Sequence, residues 1–116
     1  MSKEELMECI LDSMPTQLVF IDEECVVRYM NREAKYQNFN VLGYEDIMNK
    51  SLLDCHKTEK GKQAILNMTK MFQQNTPEIQ SAHPTGNNEL IYTVPVRDEN
   101  GKYLGMYERF ELNMKK

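Results

Sequence analysis

Apolar and polar positions along the chain follow two different periods, and the switches between them mark the elements. Leu6, Met7, Ile10, Leu11 and Met14 recur at the three- and four-residue spacing of one helical stripe. Ser2 and Glu5 stand before that stripe as an S-x-x-E capping box, and Pro15 stops it. The spacing predicts a helix over about 3–14. The run Leu18-Val19-Phe20-Ile21 then predicts a buried strand within 17–22. After a turn at Asp22-Glu23-Glu24, the residues Val26, Val27 and Tyr29 predict a second strand within 25–30. These two strands read as a hairpin. Asn31 is placed to cap a short helix through Glu33, Ala34, Tyr36 and Gln37. Asn38-Phe39-Asn40 breaks that helix, and Gly43 to His56 reads as one or two further helical turns.

In the second half Thr58 is placed to cap a longer helix from Glu59 to Gln74. Its apolar stripe is Ala64, Ile65, Met68, Met71 and Phe72, and Pro77 marks its end. A weak strand signal at Glu78–Ala82 precedes a strong one at Glu89–Arg97. Asp98-Glu99-Asn100-Gly101 has the chemistry of a hairpin turn, and Lys102–Leu112 forms the last strand, carrying Tyr103, Leu104, Met106, Tyr107 and Phe110. Pro95 conflicts with a central strand unless its nitrogen faces away from a partner or sits at a bulge. The face taken by Tyr92 and Tyr107 depends on register, because a one-residue slip inverts a strand. Two hairpins flanking a helical segment define an α+β fold: one antiparallel sheet with helices packed on a face. The chain reads as a single domain over 1–116, with its core over about 17–112.

Composition narrows the function classes. The 116 residues are 41% hydrophobic and 28% charged, enough for a core without disulfides or metal. No apolar run approaches the ~20 residues that span a bilayer, and the acidic start Met1-Ser2-Lys3-Glu4-Glu5 does not resemble a signal peptide, so a cytoplasmic location is expected. Cys9, Cys25 and Cys55 are odd in number and scattered, as in a reducing compartment. A net charge of -4 argues against nucleic acid as partner. Nine methionines suit an irregular core or an adaptable pocket.

Three segments together resemble the PAS domain, a sensory module. The first is Ile10-Leu11-Asp12-Ser13-Met14-Pro15 with Leu18-Val19-Phe20-Ile21-Asp22. The second is Val27-Arg28-Tyr29-Met30-Asn31-Arg32-Glu33-Ala34, similar to the family's I-x-Y-x-N-x-A turn with the alanine one place later. The third is the hairpin from Val96 through Asp98-Glu99-Asn100-Gly101 to Gly105. The stretch Asn49–His56 is similar to a bacterial group of PAS domains with a Cys-His pair before the long helix, although Lys57 stands where that group often has proline. The resemblance implies a five-stranded antiparallel sheet with short helices and one longer helix on one face, plus an N-terminal helix. It also implies a small pocket between the helices and the sheet, and signalling through protein contacts. On that basis a small, mostly apolar ligand is expected against Ile65, Met68, Met71 and Phe72, with His56, Cys55, Tyr92 and Tyr107 as polar neighbours. A homodimer is expected through Leu6, Met7, Ile10, Leu11 and Met14, with a signalling output domain or protein as a further partner.

The candidate chemistry is sparse. Cys55-His56 reads first as a helix-ending polar pair with the thiol packed as a small hydrophobe. Two alternatives are haem iron on His56 and a redox-sensitive thiol at Cys55. The usual haem-binding PAS pattern places its histidine in the long helix, and Glu59–Gln74 contains none. Covalent flavin is not expected, because Cys55 lies between Asp54 and His56 and the late strands offer no glutamine. No C-x-x-C pair accompanies Cys9, Cys25, Cys55, His56 and His83, so no metal site is assigned. No phosphate loop, dinucleotide fingerprint or H-E-x-x-H motif is present, and side chains adjacent on a helix point about 100° apart, which separates Cys55 from His56 as a catalytic dyad. An enzyme is not expected. The alternative to a ligand sensor is a ligand-free dimerisation or interaction module.

Overall fold

A computed structural model describes residues 1–38, 46–55, 58–80, 84–86 and 88–114. Helix α1 (Lys3–Asp12) leads into the hairpin β1 (Val19–Asp22) and β2 (Val27–Met30). The short helices α2 (Arg32–Tyr36) and α3 (Leu52–Cys55) precede α4 (Glu59–Gln73). Strands β3 (Ile79–Gln80), β4 (Glu89–Arg97) and β5 (Tyr103–Leu112) complete the fold. The earlier part of the expected helical stretch, from Gly43, and the residues Ser81 and Ala82 of the weak strand lie outside the described residues.

The caps stand where the polar residues place them. Ser2 Oγ accepts the Glu5 amide at 3.1 Å, and Thr58 Oγ1 accepts the Gly61 amide at 3.1 Å. Helix α1 ends two residues short of the expected boundary. Its last turn closes at Ser13, whose amide reaches the Cys9 and Ile10 carbonyls, and Met14, preceding Pro15, is sterically turned out of the helix. Asn31 caps α2 through the Ala34 amide at 3.0 Å, and the same oxygen accepts the Leu18 amide at 3.0 Å. Its nitrogen donates to the carbonyls of Leu11, at 3.2 Å, and Thr16, at 2.9 Å. This fully buried carboxamide therefore ties α1, the connection to β1, the end of β2 and the start of α2 together. Asp12 reinforces the junction: its carboxylate accepts from Tyr29 Oη at 3.1 Å and from the Arg32 amide at 2.9 Å.

The five strands form one antiparallel sheet in the order β2-β1-β5-β4-β3. The two hairpins meet at β1 and β5, where Val19 stands opposite Glu108 and Ile21 opposite Met106. This register assigns the faces. Val19, Ile21, Met106, Glu108 and Thr93 share the face that α4 covers, whereas Phe20, Tyr29, Tyr107 and Val94 share the other. Pro95 causes no conflict, because β3 pairs only with Tyr92 and Thr93 and leaves β4 with a partner on one side at the proline. Near the last turn the β4–β5 ladder slips: Val96 faces Gly105, but Arg97 faces Tyr103. Gly105 adopts φ +150°, and a Cβ there would collide with the Ile21 carbonyl oxygen and the Phe20 ring. The slip turns Tyr103 back to the helix side, where its ring lies 6.3 Å from that of Phe72.

Helix α4 packs with Ile65, Thr69 and Phe72 buried. The expected stripe is thus rotated. Ala64 and Met71 face solvent, Met71 being 43% exposed, and Thr69 takes the inward place. Its hydroxyl donates to the Ile65 carbonyl at 3.0 Å, which satisfies a polar group that burial would otherwise penalise. Arg97 Nη2 donates to the carbonyls of Phe72, at 2.7 Å, and Thr76, at 3.0 Å, fastening the end of α4 to β4.

The Asn31 network yields a stability prediction. Asn31→Ala removes four hydrogen bonds, one buried and three part-buried, and each backbone group left without a partner costs up to about 1–3 kcal/mol. We expect a loss of about 3 kcal/mol or more in urea denaturation. A loss below about 1 kcal/mol would show that water replaces the side chain.

Candidate functional site

A cavity of about 200 Å³ lies between α4 and the sheet. Strand β1 supplies Val19 and Ile21, with Gln17 just before it, and β5 supplies Met106, Tyr107, Glu108 and Phe110. Ile65 and Met68 from α4 form the opposite wall. Asn38, Ile47 and Leu52, from the segments between β2 and α4, are the other described residues of the lining. The cavity's size suits one small ring: an apolar cavity of roughly 150 Å³ already accepts benzene.

Among the described residues the lining is apolar apart from Gln17, Asn38, Glu108 and Tyr107. Alternation along β5 puts the Tyr107 ring on the far face with Phe20, so this residue borders the cavity through its backbone. Glu108 is different. It stands between Val19 and Thr93 on the inward face, and its carboxyl makes no hydrogen bond among the described residues. No lysine, arginine or histidine occurs among the described lining residues. Loss of water on burial raises the Glu108 carboxyl above the ordinary carboxylate range.

The expected ligand-facing residues divide three ways. Ile65, Met68 and Tyr107 border the cavity. Met71 does not, because the rotation of α4 carries it to solvent. Phe72 is buried at 1% exposure but packs on Tyr103 one turn beyond the cavity. Tyr92 lies on the far face, where the Arg109 guanidinium sits 4.4 Å from its ring centre. His56, the side chain of Cys55, and His83 lie outside the described residues. On α1, none of the residues is buried: Leu6, Met7 and Ile10 are exposed and Leu11 is half-buried, while Met14, just past the helix, is exposed. Among the described residues no three His, Cys, Asp or Glu side chains gather around a common point for a metal ion.

Glu108 was not singled out from the sequence. Its signal was the alternation Met106-x-Glu108-x-Phe110, which places a carboxylate in an apolar row.

The sequence model of the PAS domain family matches residues 7–111. The chain belongs to the PAS domain family. No curated protein matches it in sequence. Among solved structures, a C-terminal domain from Streptococcus mutans superposes with a TM-score of 0.78 at 15% identity, over 96% of this chain and 85% of that one. The PAS domain of Bordetella pertussis BvgS gives 0.69 at 12% identity, over 98% and 88%. A sensory box sensor histidine kinase from Vibrio cholerae gives 0.60 at 12% identity, over 93% and 89%. At these identities the likeness is one of fold.

Glu108 predicts a pH dependence of stability. A carboxyl raised in the folded state binds more protons there than in the unfolded chain. The Glu108 contribution to stability is therefore fully present at low pH and is lost as pH rises from about 4 through the folded value. Glu108→Gln is expected to remove this fall, so its melting temperature exceeds that of the wild type at neutral pH and the gap narrows toward pH 4. Parallel melting curves at all pH values would contradict it.

Proposed function

We propose that the chain is a non-catalytic PAS sensor that holds a small, mostly apolar molecule in the cavity between α4 and the sheet and passes its occupancy on through protein contacts. The observation that carries the reading is the cavity itself, about 200 Å³ with walls of Val19, Ile21, Ile65, Met68, Met106 and Phe110. Close-packed interiors leave few voids of this size. The kinship with PAS domains, which serve as sensory modules, supports the same reading. A ligand selective for the folded state stabilises it by about 2.7 kcal/mol at a hundredfold excess over its Kd. Single-ring apolar compounds are accordingly expected to raise the melting temperature of the wild type. Met68→Trp, which fills the cavity, is expected to melt cooperatively and show no rise. An unchanged wild-type melting temperature across the set would favour the ligand-free module.

The contact surface we assign is α1, with a second copy of the chain as its partner. Leu6, Met7 and Ile10 form an exposed stripe on the helix, with exposed Met14 just beyond its end, although the helix is fixed in place by Leu11, Asp12 and the Asn31 carboxamide. Covering the sheet of its own subunit does not explain the stripe, because α1 buries none of its residues. Two-fold pairing of equal stripes is the commonest way such a face is covered. Ile10→Asp should give a folded monomer in sedimentation, since Ile10 is 55% exposed and supports nothing beneath it. Wild-type protein sedimenting as a monomer at tens of micromolar would remove the dimer.

A further inference from the structure

We propose that the cavity selects a small molecule with one positively charged nitrogen, an amine or amidine on a single ring or short apolar chain, with Glu108 as its counter-ion. The proposal rests on the reading of the cavity as a ligand site and names the ligand's class. Three observations carry it. The register opposite Val19 and Thr93 turns the Glu108 side chain inward, and no described residue pairs with it. Asn38 is already oriented: its nitrogen donates to the Ala34 carbonyl at 2.9 Å, which leaves its oxygen as the atom for an incoming donor. Gln17 adds a second carboxamide at the rim, and Phe110 adds an aromatic ring. A carboxylate, amide oxygens and a ring face together form the environment of an ammonium group. The same set repels an anion, since no described lining residue carries a positive charge.

The proton balance closes from either starting state of the amine. A neutral amine entering the cavity takes the proton of a protonated Glu108 and forms an ammonium–carboxylate pair. An amine entering as the ammonium ion displaces that proton to solvent. Either way, a half-buried carboxyl with no partner among the described residues becomes a paired one.

Phenethylamine and phenethyl alcohol, nearly equal in shape, make the test by calorimetric titration of the wild type and of Glu108→Gln. The wild type is expected to bind the amine about tenfold to a hundredfold more tightly than the alcohol. Glu108→Gln is expected to bind the two about equally, its retained affinity for the alcohol showing that the cavity is intact. Equal binding by the wild type, or an amine preference that survives Glu108→Gln, overturns the charge assignment and leaves the ligand site standing. Binding of neither compound by either protein overturns both.

Discussion

One buried carboxamide, that of Asn31, satisfies four backbone groups drawn from three parts of the chain: α1, its connection to β1, and α2. The carboxamide itself is fully buried, so its oxygen and nitrogen need partners within the protein. The side chain has one acceptor oxygen and one donor nitrogen, and both are used twice. The path of the chain from Leu11 to Ala34 is therefore fixed by one residue. Once that path is set, β1 and β2 are aligned and β1 is available to β5. The closure of the sheet from its two ends, and with it the cavity beneath, depends on this arrangement.

The parts of the fold visible in the sequence are those governed by contacts close along the chain. Ser2, Asn31 and Thr58 act as caps over three residues, and each stands where its side chain chemistry places it. The Asp98–Gly101 turn is equally local: the Asp98 carboxylate accepts the amides of Asn100 and Lys102, both at 2.9 Å, and Gly101 takes φ +84°. The pairing of β1 with β5 is not local. It joins residues more than eighty positions apart, and until it is known no strand residue can be given a face. That is why Tyr92 and Tyr107 were expected inward and Glu108 passed unnoticed.

The long helix misled for another reason. Counting apolar letters favours Met71 over Thr69, yet threonine hides its hydroxyl against the preceding turn while methionine tolerates exposure. A stripe read by letters alone was therefore about one position off. Phe72 belongs to both versions of the stripe, but it fills the core beside Tyr103 and leaves the ring-sized space to Ile65 and Met68.

The attachment of α1 has a mechanical side. Its tethers sit at one end, on Leu11 and Asp12, and its apolar residues lie along the rest. Such a helix is a lever with its fulcrum at the β2–α2 junction. At 1.5 Å per residue its arm is about 14 Å, so a tilt of roughly 10° at the fulcrum sweeps the Lys3 end through about 2.4 Å. Small rearrangements around Asn31 are thereby magnified at the far tip, and a displacement of that size is enough to bring one row of side chains in a helix pair out of mesh with the next.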